Sequence, residues 1–374
     1  MRRVSPSREP SLLVSGLVGL LLVAAGVAAV FARAAIVRGP YLNDVRPDSI
    51  VVRWDTDTPC VGTVRFTPRG GEVRAQQEAR ATKRHEVRLH NLAPGARYLY
   101  QVGDGQVYSP RAAFRTAVPA GQAFSFAVYG DSRSHLADHR QVANAILAAD
   151  PAFVLHTGDL VSDGHQEKDW AVFFDGAADL LRSVPVFPCL GNHEQDSQLY
   201  FDYFSLPGNE RYYSFDYGDC HFIALDSNAL FVSNPAQRHW LAHDLQKHRQ
   251  AALTFAFLHH PPYSVARHGN TQTVQQEFCP LFRQYGVDVV FAGHDHDYQR
   301  NEVGGVTYIV TAGGGASLYD QTTTAPWNKV TQKLLHYVLV RVYAAASRGR
   351  EGKSATLEAF TPDGQCFDRV ELGR

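Results

Sequence analysis

Five apolar stretches with the length and composition of β-strands are each followed within a few residues by Asp, Asn or His. Helical stretches separate several of them, and this alternation is typical of an α/β sheet. In such sheets the carboxyl ends of the strands gather at one edge, where ligands bind. The strands are predicted at residues 124–128, 153–155, 184–187, 253–258 and 287–291, and the polar residues that follow are Asp131, Asp159, Asn192, His259, His294 and His296. We therefore predict that these six side chains converge.

The donor atoms of this set indicate a metal site. Two carboxylates, one amide oxygen and three imidazoles, without a thiolate, suit Zn, Mn or Fe. They exceed what one tetrahedral ion needs, so two ions that share one bridging carboxylate is the simplest arrangement. Each motif is weak by itself, because a Gly-Asp pair after a strand is more often a turn or a helix cap. The prediction depends on their joint occurrence.

Residues 36–118 precede this region and predict a different architecture. Short extended runs at residues 50–54, 61–66, 86–89 and 98–100 are separated by turn residues, which is typical of a small antiparallel sandwich. A linker at residues 119–121 leads to the α/β region, residues 122–374. Nothing in the sandwich is suited to catalysis, so we predict a packing module or an edge of the substrate site.

Helix signals are also present in the α/β region. Residues 141–149 have a helical pattern, and Asn234 followed by Pro235 predicts a helix start. Thr273 with Gln276 resembles a capping box for a further helix, which Pro280 should kink or break.

Residues 1–35 have the features of an export signal. Arg2, Arg3 and Arg8 provide a positive start, residues 11–31 are uncharged and apolar, and Ala32 and Ala34 flank Arg33 in a small-x-small cleavage pattern. The apolar run is longer than the roughly 7–15 residues of a typical signal core. Two outcomes therefore stay open: cleavage, or retention of residues 11–31 as a membrane anchor. In both cases we expect an exported body, periplasmic or secreted.

The composition excludes other classes of protein. The chain has 36 Lys and Arg against 37 Asp and Glu, a net charge of −1, so no basic field is present and no nucleic acid is expected as a partner. Its five Cys are too few for a disulfide scaffold, and their pairing stays open. The oligomeric state cannot be predicted.

The order of the motifs resembles that of the calcineurin-like metallophosphoesterase superfamily over about residues 122–372. The motifs are Gly130-Asp131, Gly158-Asp159, Gly191-Asn192-His193-Glu194, His259 and Gly293-His294-Asp295-His296. The HxPxY run at residues 259–263, the GHDHDYQR run at 293–300 and the preceding sandwich are similar to the purple acid phosphatase group. The run at residues 92–100 resembles a corner of a fibronectin type III domain. The resemblance implies an α/β (α+β) four-layer domain with mixed β-sheets flanked by helices, preceded by a small all-β sandwich.

The resemblance also implies roles for individual residues. Asp159 would bridge two metal ions, Asp131 and His296 would complete the first metal site, and Asn192, His259 and His294 would complete the second. His193 would face the phosphate as an acid or electrostatic stabiliser, and His268 would contact the substrate. Arg133 lies next to Asp131 and is predicted either to hold a phosphate oxygen or to be a surface charge.

The chain departs from the purple acid phosphatase pattern at one ligand. Those enzymes have Tyr where this chain has Ser162, and the superfamily's alternative, a His two residues after the first Asp, is replaced by Arg133. The first metal therefore lacks its usual extra ligand. We predict water there, or a side chain such as His135 or His165, and no purple Fe(III)–tyrosinate centre.

The predicted activity is that of a metal-dependent phosphoric ester hydrolase. The resemblance implies a phosphomonoesterase that acts on small phosphate esters, with a metal-bridging hydroxide that attacks phosphorus in line. One alternative is a phosphodiesterase or nucleotidase that uses the same site. The other is an exported, non-catalytic binding protein with a vestigial metal site.

Overall fold

The computed structural model describes residues 33–68, 70–228, 234–344 and 353–373, and those from Arg33 onward form one compact unit. The predicted export signal lies almost entirely outside the described residues. Among the described helices, none is both long and apolar enough to cross a membrane. The five cysteines are free thiols.

The first seven strands form two small antiparallel sheets. They are β1 (Ile36–Asn43), β2 (Ile50–Cys60), β3 (Thr63–Pro68), β4 (Arg74–Gln77), β5 (Thr82–Leu89), β6 (Arg97–Gly103) and β7 (Ala112–Arg115). The strand order is β1-β2-β5 in one sheet and β4-β3-β6-β7 in the other. The predicted runs at residues 50–54, 61–66, 86–89 and 98–100 coincide with or overlap four of these strands.

The other strands form two large mixed sheets. They are β8 (Phe124–Tyr129), β9 (Val154–His156), β10 (Val186–Pro188), β11 (Tyr213–Tyr217), β12 (Cys220–Ala224), β13 (Leu253–Phe257), β14 (Val289–Ala292), β15 (Tyr298–Val303), β16 (Val306–Thr311), β17 (Asn328–Gln332), β18 (Tyr337–Val342), β19 (Lys353–Phe360) and β20 (Cys366–Gly373). A six-stranded sheet has the order β10-β9-β8-β18-β19-β20, and a seven-stranded sheet the order β11-β12-β13-β14-β16-β15-β17.

Helices flank both large sheets. They are α1 (Leu136–Ala148), α2 (Glu167–Gly176), α3 (Ala178–Leu181), α4 (Gln198–Tyr203), α5 (Pro235–Lys247), α6 (Gln272–Glu277) and α7 (Cys279–Tyr285). Phe173 of α2 packs against His156 of the six-stranded sheet, whereas Leu241 of α5 and Phe282 of α7 share a buried cluster with Ile223 of the seven-stranded sheet. The predicted α/β fold with mixed sheets flanked by helices, and a β-rich N-terminal part, is confirmed.

Phenylalanines join the two large sheets face to face. Phe126 of β8 lies 5.1 Å from both Phe222 of β12 and Phe255 of β13, measured between ring centroids, and the rings meet edge to face. Each such pair adds about 0.5–1.5 kcal/mol beyond the burial of its area. Because β8, β9 and β10 are parallel, as are β12, β13 and β14, this packing sets two carboxyl edges side by side.

The N-terminal sheets contact the segments on both sides of Asn192. The Tyr41 hydroxyl donates to the Tyr203 carbonyl oxygen at 2.9 Å, and Asn43 Nδ2 donates to the Val186 carbonyl oxygen at 3.2 Å. All of these groups are buried, where an unpaired polar atom is costly. Since β10 begins at Val186 and α4 ends at Tyr203, these bonds help to fix the strand before Asn192 and the helix after it.

Of the three signals predicted for helix ends, two are confirmed and one is wrong. The Asn234 side chain accepts from the Ala236 N–H at 2.9 Å, so the predicted N-cap is confirmed. The predicted break at Pro280 is also confirmed, because α6 ends before it and α7 contains it. The capping box at Thr273 is wrong: α6 starts at Gln272, and a residue inside the helix cannot cap it.

His221 of β12 lies between two carboxylates. Its Nδ1 is 2.7 Å from Asp216 Oδ1 of β11, its Nε2 is 2.8 Å from Asp244 Oδ2 of α5, and the His248 ring stacks on it. Burial lowers the pKa of His221, but the hydrogen bonds to both carboxylates outweigh burial and leave that pKa raised. The hydrogen bond from His221 lowers the pKa of Asp216. A charged His221 therefore ties two strands to α5.

Replacing His221 with Gln is expected to lower the free energy of unfolding by about 1–3 kcal/mol near pH 5.5, because hydrogen bonds to charged groups are lost. A raised histidine pKa stabilises the fold below about pH 6.5, and this contribution disappears as the pH rises through the folded-state value. The loss should therefore be smaller at pH 8.5. Urea unfolding at both pH values measures it.

The matched control is His239→Gln on α5, where the side chain is exposed. His239→Gln should leave the free energy of unfolding unchanged at both pH values. A loss in His221→Gln that is equal at the two pH values, or larger at pH 8.5, would show that the contact does not depend on charge.

Candidate metal site

The predicted ligands come together at the facing carboxyl edges of the two large sheets. Tyr129, His156 and Pro188 stand side by side in register at the ends of β8, β9 and β10, and the ligand residues follow each of them. Strands β13 and β14 end in the same way in the other sheet. The residues form two groups that share one carboxylate. We call Asp131, Asp159 and His296 the first half-site, and Asp159, Asn192, His259 and His294 the second half-site.

The second half-site is centred on His259 Nε2. This atom lies 3.0 Å from Asn192 Oδ1, 3.2 Å from His294 Nδ1 and 3.3 Å from Asp159 Oδ1. His259 Nδ1 donates to the Thr157 carbonyl oxygen at 2.9 Å, so Nε2 of the neutral ring carries a lone pair. At most one proton, on His294 Nδ1, could be shared here, and the two oxygens still face that lone pair. A cation fits among these four donors.

The first half-site contains two carboxylates and one imidazole, all buried, with ligand atoms within 4.8 Å of one another. His296 Nδ1 donates to the Ser317 carbonyl oxygen at 2.7 Å, which leaves Nε2 facing Asp131 Oδ1 at 3.3 Å. The donor set suits a divalent ion. The Arg133 guanidinium also reaches this half-site, where its Nε lies 3.2 Å from Asp159 Oδ2.

The backbone around the ligands is tightly constrained. Asp131, Asp159 and His294 have φ of 55°, 55° and 71°, in the left-handed region that few residues other than glycine adopt. A Cβ on Gly191 would lie 2.3 Å from Asp159 Oδ1, and one on Gly293 would lie 2.4 Å from Asp131 Oδ2. Gly191 and Gly293 are therefore required, because the carboxylates of two predicted ligands pack against their Cα atoms.

Glu194 holds the loop that carries the shared carboxylate. Its buried side chain accepts backbone N–H groups of Asp159 at 2.9 Å, Leu160 at 2.8 Å and Gly191 at 2.7 Å. These bonds join the loop after β9 to the loop after β10. Glu194 belongs to a recognised motif, but no role was predicted for it, although a carboxylate at that position was the available signal.

Burial shifts the titration of the ligands. Desolvation raises the pKa of Asp131 to about 6 and lowers the pKa of His259 well below its usual range. Desolvation also lowers the pKa of the neighbouring His260 to about 4. His259, held neutral, is in the form that binds metal ions, and a cation offsets the cost of burying the Asp131 carboxylate.

Two further histidines lie near the half-sites. His193 Nδ1 donates to the Ser162 carbonyl oxygen at 2.7 Å, and its Nε2 lies 3.8 Å from Asp159 Oδ2. The His268 ring is 4.1 Å from that of His294, and its backbone N–H donates to Asp295 Oδ1 at 2.8 Å. Both lie at the same edge as the predicted ligands.

The structure does not bring the two other suggested histidines into the first half-site. His135 Nδ1 lies 3.0 Å from the Gly315 carbonyl oxygen, and His165 is exposed. No role was predicted for Tyr319, whose ring stacks on that of His296 at 4.1 Å, or for His260, whose ring lies 4.5 Å from that of His294. Signals for both were available: Tyr319 ends the run 308–319, which resembles a stretch shared by purple acid phosphatases, and His260 directly follows a predicted ligand.

Two families match this chain. Residues 124–298 match the calcineurin-like phosphoesterases, and residues 40–116 match the purple acid phosphatase N-terminal domain. Acid phosphatase type 7 from Homo sapiens is 30% identical over 304 residues, which are 68% of this chain and 68% of that protein. Acid phosphatase type 7 from Mus musculus is 29% identical over 314 residues, 70% of this chain and 69% of its own.

Among solved structures, the fold is similar to that of purple acid phosphatase PPD1 from yellow lupin (Lupinus luteus) seeds. The TM-score is 0.77 at 18% identity, over 90% of this chain and 74% of that chain. At this identity the likeness bears on the fold alone.

We expect Glu194→Gln to weaken metal binding by about 10–100-fold, because the amide cannot accept all of the N–H groups that position Asp159. Equilibrium dialysis against buffered Zn²⁺ or Mn²⁺ measures the change. Glu277→Gln, a partly exposed carboxylate on α6, is the matched control and should bind like the unmodified protein. Unchanged affinity in folded Glu194→Gln would mean that the loop keeps its shape without the carboxylate.

Proposed function

Because the chain belongs to the purple acid phosphatases of the calcineurin-like phosphoesterase family, we propose that it is an exported phosphatase that hydrolyses small phosphate monoesters. The family consists of metal-dependent hydrolases of phosphoric esters. The monoester preference is supported by the relatives, which are acid phosphatases. Export is supported by the sequence of residues 1–35.

The meeting of four donor atoms around His259 Nε2 carries the proposal. Asn192 Oδ1 and Asp159 Oδ1 face that nitrogen at 3.0 and 3.3 Å, and a buried cluster of this kind needs a cation. We assign the second half-site to one divalent ion and the first half-site to another, with Asp159 between them. When bound, the two ions lower the pKa of water and withdraw charge from the phosphoryl group.

His193 is the proposed proton donor to the leaving oxygen. Its Nδ1–H is held by the Ser162 carbonyl oxygen, so only the charged imidazolium form has a second proton to transfer, and that proton is on Nε2, which faces Asp159. A group that acts in this way contributes typically 10²–10⁴-fold to the rate. His268 and Arg133 would bind the phosphate oxygens, and Asp295 positions His268 by accepting its backbone N–H.

We propose a non-catalytic role for residues 36–118 and assign the reaction to residues 122–374. The Tyr100 hydroxyl donates to the Arg182 carbonyl oxygen at 2.7 Å, and Arg53 Nη2 donates to the Asp202 carbonyl oxygen at 2.5 Å. These contacts support a module that braces the elements around β10.

The full-length chain, stripped of metal and resupplied separately with Mn²⁺, Zn²⁺, Fe²⁺ or Mg²⁺, should hydrolyse p-nitrophenyl phosphate faster than bis-p-nitrophenyl phosphate. Asn192→Ala and His259→Ala should each lower kcat/KM by about 10²-fold or more, because a metal ligand is lost. His239→Ala, which is exposed on α5, should leave it unchanged.

Faster cleavage of the diester would replace the phosphatase proposal with a phosphodiesterase that uses the same site. No hydrolysis of either ester by folded protein with two bound ions would favour the non-catalytic binding protein.

Iron-loaded protein should lack the tyrosinate-to-Fe(III) absorption band, because Ser162 stands where the tyrosine ligand would be. Its visible spectrum, recorded against the Zn-loaded protein, measures this. A band in the tyrosinate charge-transfer region would mean that another tyrosine binds the iron.

A further inference from the structure

The metal-binding atoms of the two half-sites have different partners. In the second half-site, Asn192 Oδ1 and Asp159 Oδ1 face the lone pair of His259 Nε2, with no cationic side chain among the groups that meet there. In the first half-site, Asp159 Oδ2 and His296 Nε2 face the guanidinium of Arg133, and Asp131 Oδ1 faces His296 Nε2. The protein therefore supplies a positive charge of its own to one half-site.

Arg133 contacts two of the three groups of the first half-site. Its Nε donates to Asp159 Oδ2 at 3.2 Å, and its Nη2 lies 3.4 Å from His296 Nε2. Both contacts use atoms that would otherwise bind a metal ion. The guanidinium is largely buried, with 17% of the side chain exposed, so solvent screens its charge only partly.

We propose that Arg133 acts as a built-in cation of the first half-site, so that the second half-site fills first and tightly and the first half-site fills later and weakly. This inference rests on the proposed function. Arg133 is a positioning residue in this role, because it acts through the affinity of the metal site.

The charge balance supports this order. Asp131 and Asp159 bring two negative charges to the first half-site, and Arg133 neutralises one of them. Its guanidinium does not lose its proton in proteins, so it stays charged when an ion enters. A metal ion at the first half-site must therefore displace two contacts and remain beside a fixed positive charge. A trivalent ion would be disfavoured more strongly than a divalent one.

The test compares full-length wild-type protein with Arg133→His, which restores the Asp-x-His pattern. Metal-free protein is dialysed against buffered Mn²⁺ over a range of free concentrations, and bound Mn is counted by mass spectrometry. Electron paramagnetic resonance distinguishes one isolated Mn²⁺ from a coupled pair. Wild type should take up one ion tightly and show the isolated spectrum, with the second ion binding at least 10-fold more weakly. Arg133→His should reduce the ratio between the dissociation constants of the two ions by about 10–100-fold.

Single-ligand variants locate the tight ion. His259→Ala should lose it and His296→Ala should keep it. Arg133→Lys keeps a positive charge and should behave like wild type, whereas Arg133→Gln provides a second test if the histidine variant does not fold. Arg140→His, which removes an exposed arginine paired with Asp175, is the matched control and should change nothing.

Two ions bound with equal affinity in wild type would overturn the inference and leave the proposed function intact. The inference would also be overturned if neither Arg133→His nor Arg133→Gln changed the ratio of the two dissociation constants. It would be overturned as well if His296→Ala lost the tightly bound ion and His259→Ala kept it. No bound ion in any variant would contradict the proposed function as well.

Discussion

The lone pairs of three acceptor atoms point toward one another with no proton between them, and the rest of the structure depends on this constraint. The oxygens of Asn192 and Asp159 approach His259 Nε2 to 3.0–3.3 Å, and every one of these atoms is an acceptor. Such a cluster repels itself until a cation enters it, so other interactions must hold the groups together. The Thr157 carbonyl oxygen fixes the His259 ring, and Glu194 fixes the loop that carries Asp159.

The scaffold around the cluster is strong enough to maintain strained backbone. Non-glycine residues held in the left-handed region cost about 1–3 kcal/mol each, and three ligands are in that region. The phenylalanine layer between the large sheets offsets this cost, because it fixes both carboxyl edges at once. The N-terminal sheets also stabilise β10 through Asn43 and α4 through Tyr41.

The convergence of the six predicted ligands could be predicted because it depends on one rule, that parallel strands end at a common edge. Contacts between loops could not be predicted. Glu194 stands in a recognised motif, yet its partners are backbone N–H groups whose position no pattern reveals, and Arg133 was predicted to bind phosphate or solvent. Local signals placed element boundaries less accurately: the helix predicted at residues 141–149 is present as α1 but begins at Leu136, and Thr273 lies inside the helix that it was expected to cap.

The predicted metal ligands are far apart along the chain, and this spacing determines the stage of folding at which a metal ion can bind. They come from five strand ends, and within any one loop at most two of them are neighbours. The unfolded chain therefore has no metal site. The ions bind only after both sheets have formed, since strand pairings between distant parts of the chain form late in folding. The environment in which folding finishes, rather than the one in which the chain is synthesised, then decides which metal the protein carries.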